Sequence, residues 1–199
     1  LLYRLFDSYK MVKYSQETDN VAKAAKAKGT HLRVHFKHCR EIGQAIKGRS
    51  ITKARAYLEN VLAFKEAIPF TKYTGGIGRH AVAKQYKTPG DKVQWPQKAT
   101  KTFLDLLRNI ESNAEAKGLE MDKVLITSVN CNQAPKMRRR TYRAHGRVNA
   151  YQSSPAHIEI IVEEKSEEIV KEKEVVEARL SKKQLAQSRT RTIKIGGGI

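Results

Sequence analysis

A chain of 199 residues with 39 Lys+Arg against 20 Asp+Glu, a formal net charge of +19, is long enough for one domain with a real core plus extensions. Such an excess points to a polyanionic partner, nucleic acid before an anionic membrane surface, and no stretch approaches the ~20 apolar residues that a membrane-spanning helix needs. Cys39 and Cys131 stand far apart and outside any CxxC pair, which argues against a disulfide framework and for a reducing compartment. The charge is unevenly placed, because residues 1–158 hold 30 bases and 12 acids while the remainder is mixed.

Residues 1–10 (LLYRLFDSYK) precede Met11 and lack a signal-peptide pattern, so they read as an extension ahead of a start at Met11. Residues 20–30 (NVAKAAKAKGT) carry no large apolar side chain and are expected to be solvated or to lie on RNA rather than in a core. His31–Lys37 then alternates: Leu32, Val34 and Phe36 point one way, while His31, Arg33, His35 and Lys37 point the other. That predicts a strand with an apolar face inward and a cationic face, including Arg33, His35 and Lys37, outward. Three histidines and Cys39 invite a metal reading. On such a strand His31 and His35 would oppose His38, and no second Cys/His cluster completes a tetrahedron, so no metal is expected.

Arg40–Lys47 and Ile51–Glu66 predict two helices, with Gly48 suited to a C-cap and Ser50 to an N-cap. In the second, Ile51, Ala54, Tyr57 or Leu58, Val61 and Leu62 follow the 3.6 period, and Pro69 is expected to end it. Residues 69–96 have little periodicity and read as an insert with little core. Gly75-Gly76-Ile77-Gly78-Arg79 superficially resembles a dinucleotide loop, but no hydrophobic strand precedes it and no acid stands ~20 positions on. No cofactor is expected. Glycines there would instead let backbone amides approach phosphate, with Arg79, His80, Lys84 and Lys87 supplying charge and Tyr73, Tyr86 and Trp95 supplying stacking surfaces.

Pro96 to Lys117 is the clearest helix, stopped by Gly118, with Phe103, Leu106, Leu107, Ile110 and Ala114 on one face. Burying its four large apolar side chains contributes ~6–12 kcal/mol before entropy is charged against it, so this helix should hold the sheet. Glu111 and Glu115 read as exposed helix charges beside Arg108 and Lys117 rather than as a catalytic pair.

Val124–Ala134 and His157–Val162 are β-branched runs bounded by Pro135 and Pro155, and predict two strands. Between Asp122 and Glu159 there is no carboxylate, while Lys123, Lys136, Arg138, Arg139, Arg140, Arg143 and Arg147 are cationic. Seven cations without counter-charges repel one another in an isolated protein, and arginine pairs bidentately with phosphate and stacks on bases. A long hairpin over 124–162 is expected, each leg reaching up to ~50 Å if fully extended. A disordered basic loop between the strands is the competing reading. Beyond residue 164 the chain is acidic, then basic from 179 to 194, and predicts a charged, partly helical tail. The division expected is an extension over 1–30, an α+β domain over 31–164 with an insert at 69–95, and a tail over 165–199. That domain should hold a small antiparallel sheet packed on three helices, with a long protruding β-hairpin and a C-terminal extension to the chain.

The runs HLRVHFK (31–37), QAIKG (44–48), PF-x-x-Y-x-GG-x-GR (69–79), NAE-x-KGL (113–119) and above all NQAPKMRRRTYRAHGR (132–147) resemble the eukaryotic form of the universal large-subunit ribosomal protein family twenty-two, named large-subunit protein seventeen in eukaryotes. The similarity spans roughly Met11 to Glu164. The resemblance implies an α+β rRNA-binding domain at the exit side of the large subunit, whose hairpin end enters the polypeptide exit tunnel and forms part of its wall. Carried over, that end is Lys136, Met137, Arg138, Arg139, Arg140, Tyr142, Arg143, His145 and Arg147. The insert bearing Gly75, Gly76, Gly78 and Arg79 would be a further rRNA contact. Expected partners are large-subunit rRNA, neighbouring large-subunit proteins and the nascent polypeptide, in the cytoplasm, with assembly in the nucleolus. No GxSxG, HExxH or Cys/His motif supports an enzyme. A free RNA-binding regulator would need a compact readout module, whereas these cations are spread along most of the chain.

Overall fold

The computed structural model describes residues 13–165, except 19 and 87, and residues 181–193. The extension at 1–10, the charge at Lys87 and the acidic part of the tail lie outside the described residues. Two units result, residues 1–166 and 167–199, and within the second the helix Lys182–Ile193 is formed.

The central strand of the first unit comes late in the chain. It is Ala156–Glu164 (β7), flanked antiparallel by Ala24–Leu32 (β1) on one side and Val124–Gln133 (β4) on the other. From Ile158 to Val162 β7 is buried on both faces, as the central strand of a sheet covered on both sides. Ile158, Ile160 and Val162 face the helices, and Ile161 and Glu159 are buried on the opposite face. Residues 13–18 lie along that second face. Ser15 donates from its amide and its hydroxyl to Glu159 Oε2, Gln16 Oε1 meets the Ser128 hydroxyl, and Lys28 Nζ lies 2.6 Å from Glu159 Oε1.

Strand β1 overturns the expectation of a solvated segment at 20–30. Ala25, Ala27 and Gly29 are buried against the helices with the half-buried Lys26 and Lys28 on the opposite face, a period of two written in small residues. Helix Gln97–Ala116 (α3) lies on this face, and a Cβ on Gly29 would meet Leu32 Cδ1 at 2.8 Å and reach Leu106 Cδ2 of α3 at 3.4 Å. Lys117 Nζ and Asn113 Nδ2 donate to the carbonyls of Ala24 and Lys26, closing α3 onto the strand.

The strand expected at 31–37 is also corrected. β1 ends at Leu32 after a bulge at which His31 adopts φ 53°, and helix Phe36–Ile46 (α1) begins four residues on. His35 is its N-cap, accepting the Lys37 amide on Nδ1 at 3.2 Å. Val34 is buried and Leu32 and Phe36 pack against the core, so the apolar positions were legible although their backbone is not a strand. Helix Ile51–Leu62 (α2) buries Ile51, Ala54, Tyr57, Leu58 and Val61. It stops before Glu66 because Phe64 turns to φ 60° and the Lys65 amide closes on Asn60 O at 3.0 Å. Ser50 stands at its N-cap position, but its hydroxyl meets the Thr52 hydroxyl at 3.3 Å and caps no backbone amide. Helix α3 matches expectation, with Phe103, Leu106, Leu107, Ile110 and Ala114 all buried. Glu111 pairs not with Arg108 but with Arg55 of α2, at 3.2 Å.

Helix α1 packs on β4 through Gly43, where an added Cβ would sit 2.9 Å from Val129 Cγ1 and 3.4 Å from Cys131 Sγ. Gly43→Leu should therefore lower unfolding stability by ~1–3 kcal/mol through overpacking. Gly43→Ala, whose single carbon is offset by better helix propensity, should change it far less. Urea unfolding of the two variants beside the parent chain measures the difference.

Beyond the sheet the β4–β7 ladder is interrupted and then resumes as Arg138–Tyr142 (β5) against Val148–Gln152 (β6). Four residues on one leg oppose three on the other across the break. Pro135 and Pro155 stand there without amide donors, while Ala134 N–Pro155 O at 3.0 Å and Ser153 N–Met137 O at 3.1 Å hold the legs together. No residue of β5 or β6 is buried. The hairpin is thus a paired ribbon, which excludes the disordered loop.

Candidate nucleic-acid interface

The ribbon's register sorts its side chains. Paired residues of an antiparallel ladder share a face, so Arg138, Arg140 and Tyr142 stand with Gln152, Ala150 and Val148, and Arg139 and Thr141 with Tyr151 and Asn149. On the second face the Arg139 guanidinium lies over the exposed Tyr151 ring, 5.2 Å from its centre. At the tip the Arg143 amide donates to Arg147 O at 2.8 Å, and His145 and Gly146 both take positive φ, 61° and 66°. Positive φ at both central residues matches the right-handed twist of a ribbon and is why glycine stands there. Lys136, Met137, Arg138, Arg139, Arg140, Tyr142, Arg143, His145 and Arg147 are all exposed, Tyr142 by 77%. Among the described residues none of these cations pairs with a carboxylate. The structure brings this predicted set together.

Arg33, His35 and Lys37 are exposed but do not form one strand face. Arg33 lies in the connection from β1 to α1, His35 is committed to capping, and the Lys37 ammonium lies 5.5 Å from the Tyr73 ring centre. Burial, then the nearby Lys37 charge, holds the His35 imidazolium below its ordinary range, consistent with a nitrogen that accepts an amide.

The insert is not the coreless loop expected. Ile68–Pro69 (β2) pairs with Val93–Gln94 (β3), and Ala67, Ile68, Phe70, Ala83 and Val93 are buried. Tyr86 Oη accepts the Ala67 amide, and Trp95 Nε1 donates to Glu66 O at 2.7 Å. Those two rings are half-buried struts, not the free stacking surfaces predicted, because a loop this polar needs aromatic area to fill its small core. Gly75, Gly76 and Gly78, with Arg79, His80 and Lys84, remain on the surface. Nothing lies within 4 Å of a Cβ built on Gly75 or Gly76, and Gly76 has φ 74°, so its backbone is open to an outside group. His80 is turned toward Trp95, ring centres 5.0 Å apart.

What fixes this loop is Glu41, a residue the sequence did not single out. Its carboxylate is 1% exposed and accepts the amides of Thr71, Lys72 and Tyr73 at 3.1, 3.0 and 2.9 Å, with Arg40 Nη1 at 3.1 Å. Burial pushes this carboxyl up, but the three amides and Arg40 outweigh it and hold the pKa below the usual range. The available signal was its isolation, since Glu41 is the one carboxylate between Asp19 and Glu59. Lys98, in the first turn of α3, was also missed. It borders a cleft of about 280 Å³ shared with Arg33, His35, Met137 and Ser153.

Among the described residues no three His, Cys, Asp or Glu side chains are placed to hold a metal ion, and no helix is long and apolar enough to cross a membrane. Cys39 and Cys131 are free thiols that burial pushes up to about 12, far from a nucleophile's range.

Residues 27–163 match the family model described as ribosomal protein L22p/L17e. A Zea mays protein named large ribosomal subunit protein uL22 is 54% identical over 170 residues, covering 85% of this chain and 99% of that protein. The Schizosaccharomyces pombe protein named large ribosomal subunit protein uL22A is 51% identical over 179 residues, 90% of this chain and 94% of its own length. A Podocoryna carnea protein named uL22 is 51% identical over 181 residues, 90% of this chain and 97% of its own length.

Proposed function

From the premise that this chain belongs to the ribosomal protein L22p/L17e family, and so is a structural constituent of the large ribosomal subunit and not an enzyme, we propose that its body binds large-subunit rRNA and that the β5–β6 ribbon lines the polypeptide exit tunnel. The observation that carries this is the ribbon itself. It buries nothing within the chain, it is paired and therefore stiff, and its cations lack carboxylate partners among the described residues. A strand pair without a core face buries no apolar area within the chain, while rRNA on one face and a passing chain on the other would give its exposed side chains partners. The rRNA-binding surface includes the ribbon arginines, Arg33, His35 and Lys37 around the start of α1, and the open insert at Gly75, Gly76, Gly78, Arg79, His80 and Lys84. Neighbouring subunit proteins are partners, and assembly begins in the nucleolus before the protein serves in cytoplasmic ribosomes. Relatives carrying subunit names over nearly their full length leave the free-regulator reading without support.

The tunnel assignment is tested by placing a photoreactive phenylalanine at Tyr142 and, separately, at His145 and irradiating ribosomes stalled with a radiolabelled nascent chain. Adducts to the nascent chain at the length that reaches the ribbon are expected. Adducts to rRNA alone, from Tyr142 and from His145 alike, would place the ribbon inside the rRNA and away from the tunnel.

A further inference from the structure

Where the hairpin root meets the body there is a cleft that the tunnel assignment leaves unused. Three elements form it: the connection from β1 to α1, the first turn of α3, and the residues at the ladder break on both hairpin legs. They are tied together, since the Phe36 amide donates to Ser154 O and the Ser153 amide to Met137 O, both at 3.1 Å. The cleft is therefore built by the fold and is not a gap between independent parts.

Its volume, about 280 Å³, lies just below the ~300 Å³ at which pockets begin to take drug-sized ligands, so it suits one small flat group. The floor is apolar, from the buried Val34 and Pro155, and the exposed Met137 side chain forms a wall. The rim is polar and cationic. Arg33 and Lys98 are exposed and pair with no carboxylate among the described residues, and no acid lines the cleft. The Gln152 side-chain amide and the Ser154 hydroxyl add neutral donors and acceptors at the cleft. His31 stands at one edge, in the bulge that ends β1 at φ 53°, and its backbone amide donates to His157 Nδ1 at 3.1 Å.

A phosphate alone would leave the apolar floor unmatched, and an intact duplex keeps its base faces inside. An unstacked nucleotide fits both parts, with an apolar base face for the floor, hydrogen-bonding edges for an amide and a hydroxyl, and phosphates for two cations. We infer that this cleft holds a single unstacked nucleotide of large-subunit rRNA, its base over Val34 and Pro155 and its phosphates at Arg33 and Lys98. The inference rests on the rRNA-binding assignment and deepens it.

The test uses purified large subunits carrying this chain with a diazirine side chain at Met137. Irradiation followed by primer extension should give one dominant stop, at a nucleotide outside continuous duplex. The double variant Arg33→Glu, Lys98→Glu changes only exposed side chains and should leave the body folded. It should reduce that adduct about tenfold and make the same base correspondingly more reactive to a methylating reagent, as losing a held base implies. Adducts spread along a duplex backbone, adducts to a neighbouring protein, or an adduct and reactivity unchanged by the double variant would each overturn the nucleotide cleft. Failure of the rRNA-binding assignment reads differently: the parent chain would be absent from the purified large subunits.

Discussion

Removing Arg138–Gln152 and closing Met137 to Ser153 through an Asn-Gly turn should leave a folded body that binds large-subunit rRNA far more weakly and with less dependence on salt. The excision point is set by the structure. The Ser153 amide already donates to Met137 O across the legs, so a two-residue turn continues an existing pair. The excised ribbon contains no buried residue, so urea unfolding of the body should shift by less than ~1 kcal/mol. The deletion removes five arginines, 138, 139, 140, 143 and 147. If each neutralises a phosphate, the slope of log affinity against log salt should become shallower by roughly 4, with affinity down by orders of magnitude at low salt. Filter binding to rRNA fragments over a salt series measures both. An unchanged slope would mean that the ribbon arginines do not face RNA.

Glu41→Ala should have the largest effect on the body, and for a reason unrelated to apolar packing. It would leave the amides of Thr71, Lys72 and Tyr73 without their acceptor and Arg40 without its partner. Stranding such donors, with loss of a buried charge partner, costs about 3–5 kcal/mol. The damage should centre on the insert: hydrogen exchange at residues 71–73 should accelerate most, while α3 amides keep their order of protection. The effect depends on pH with a definite sign. Because the folded Glu41 carboxyl is held below its ordinary value, its contribution is present above the unfolded pKa of ~4.3 and is lost as pH falls through the lower, folded value. The stability gap between parent and Glu41→Ala should therefore be full at pH 6–7 and shrink below about pH 4. A gap independent of pH would assign the stabilisation to shape rather than charge.

Helix α3 and the cationic ribbon were legible in the sequence because their signals are local. Phe103, Leu106, Leu107, Ile110 and Ala114 repeat at the helical period between a proline and a glycine, and any packed helix must turn that stripe inward. The arginines of 138–147 declare an external polyanion wherever they sit, since the chain offers them no carboxylate between Asp122 and Glu159. The run at 132–147 also carried the family, which the match over residues 27–163 bears out.

Tertiary structure decided the rest, wherever a residue's role depends on a neighbour far along the chain. Ala25, Ala27 and Gly29 became sheet interior because α3, some eighty residues later, packs across them. Leu32, Val34 and Phe36 alternate as in a strand, yet the bulge at His31 and the His35 cap turn the same apolar positions into the entry of α1. Glu41 reads as one surface charge on a helix until three loop amides thirty residues away converge on it. The cleft beside Met137 exists only because three separate segments meet there. Periodicity and charge are properties of neighbours in sequence, so they identified the helix and the ribbon. Convergence on a buried acceptor or around a cleft belongs to neighbours in space, and only the folded chain brings those together.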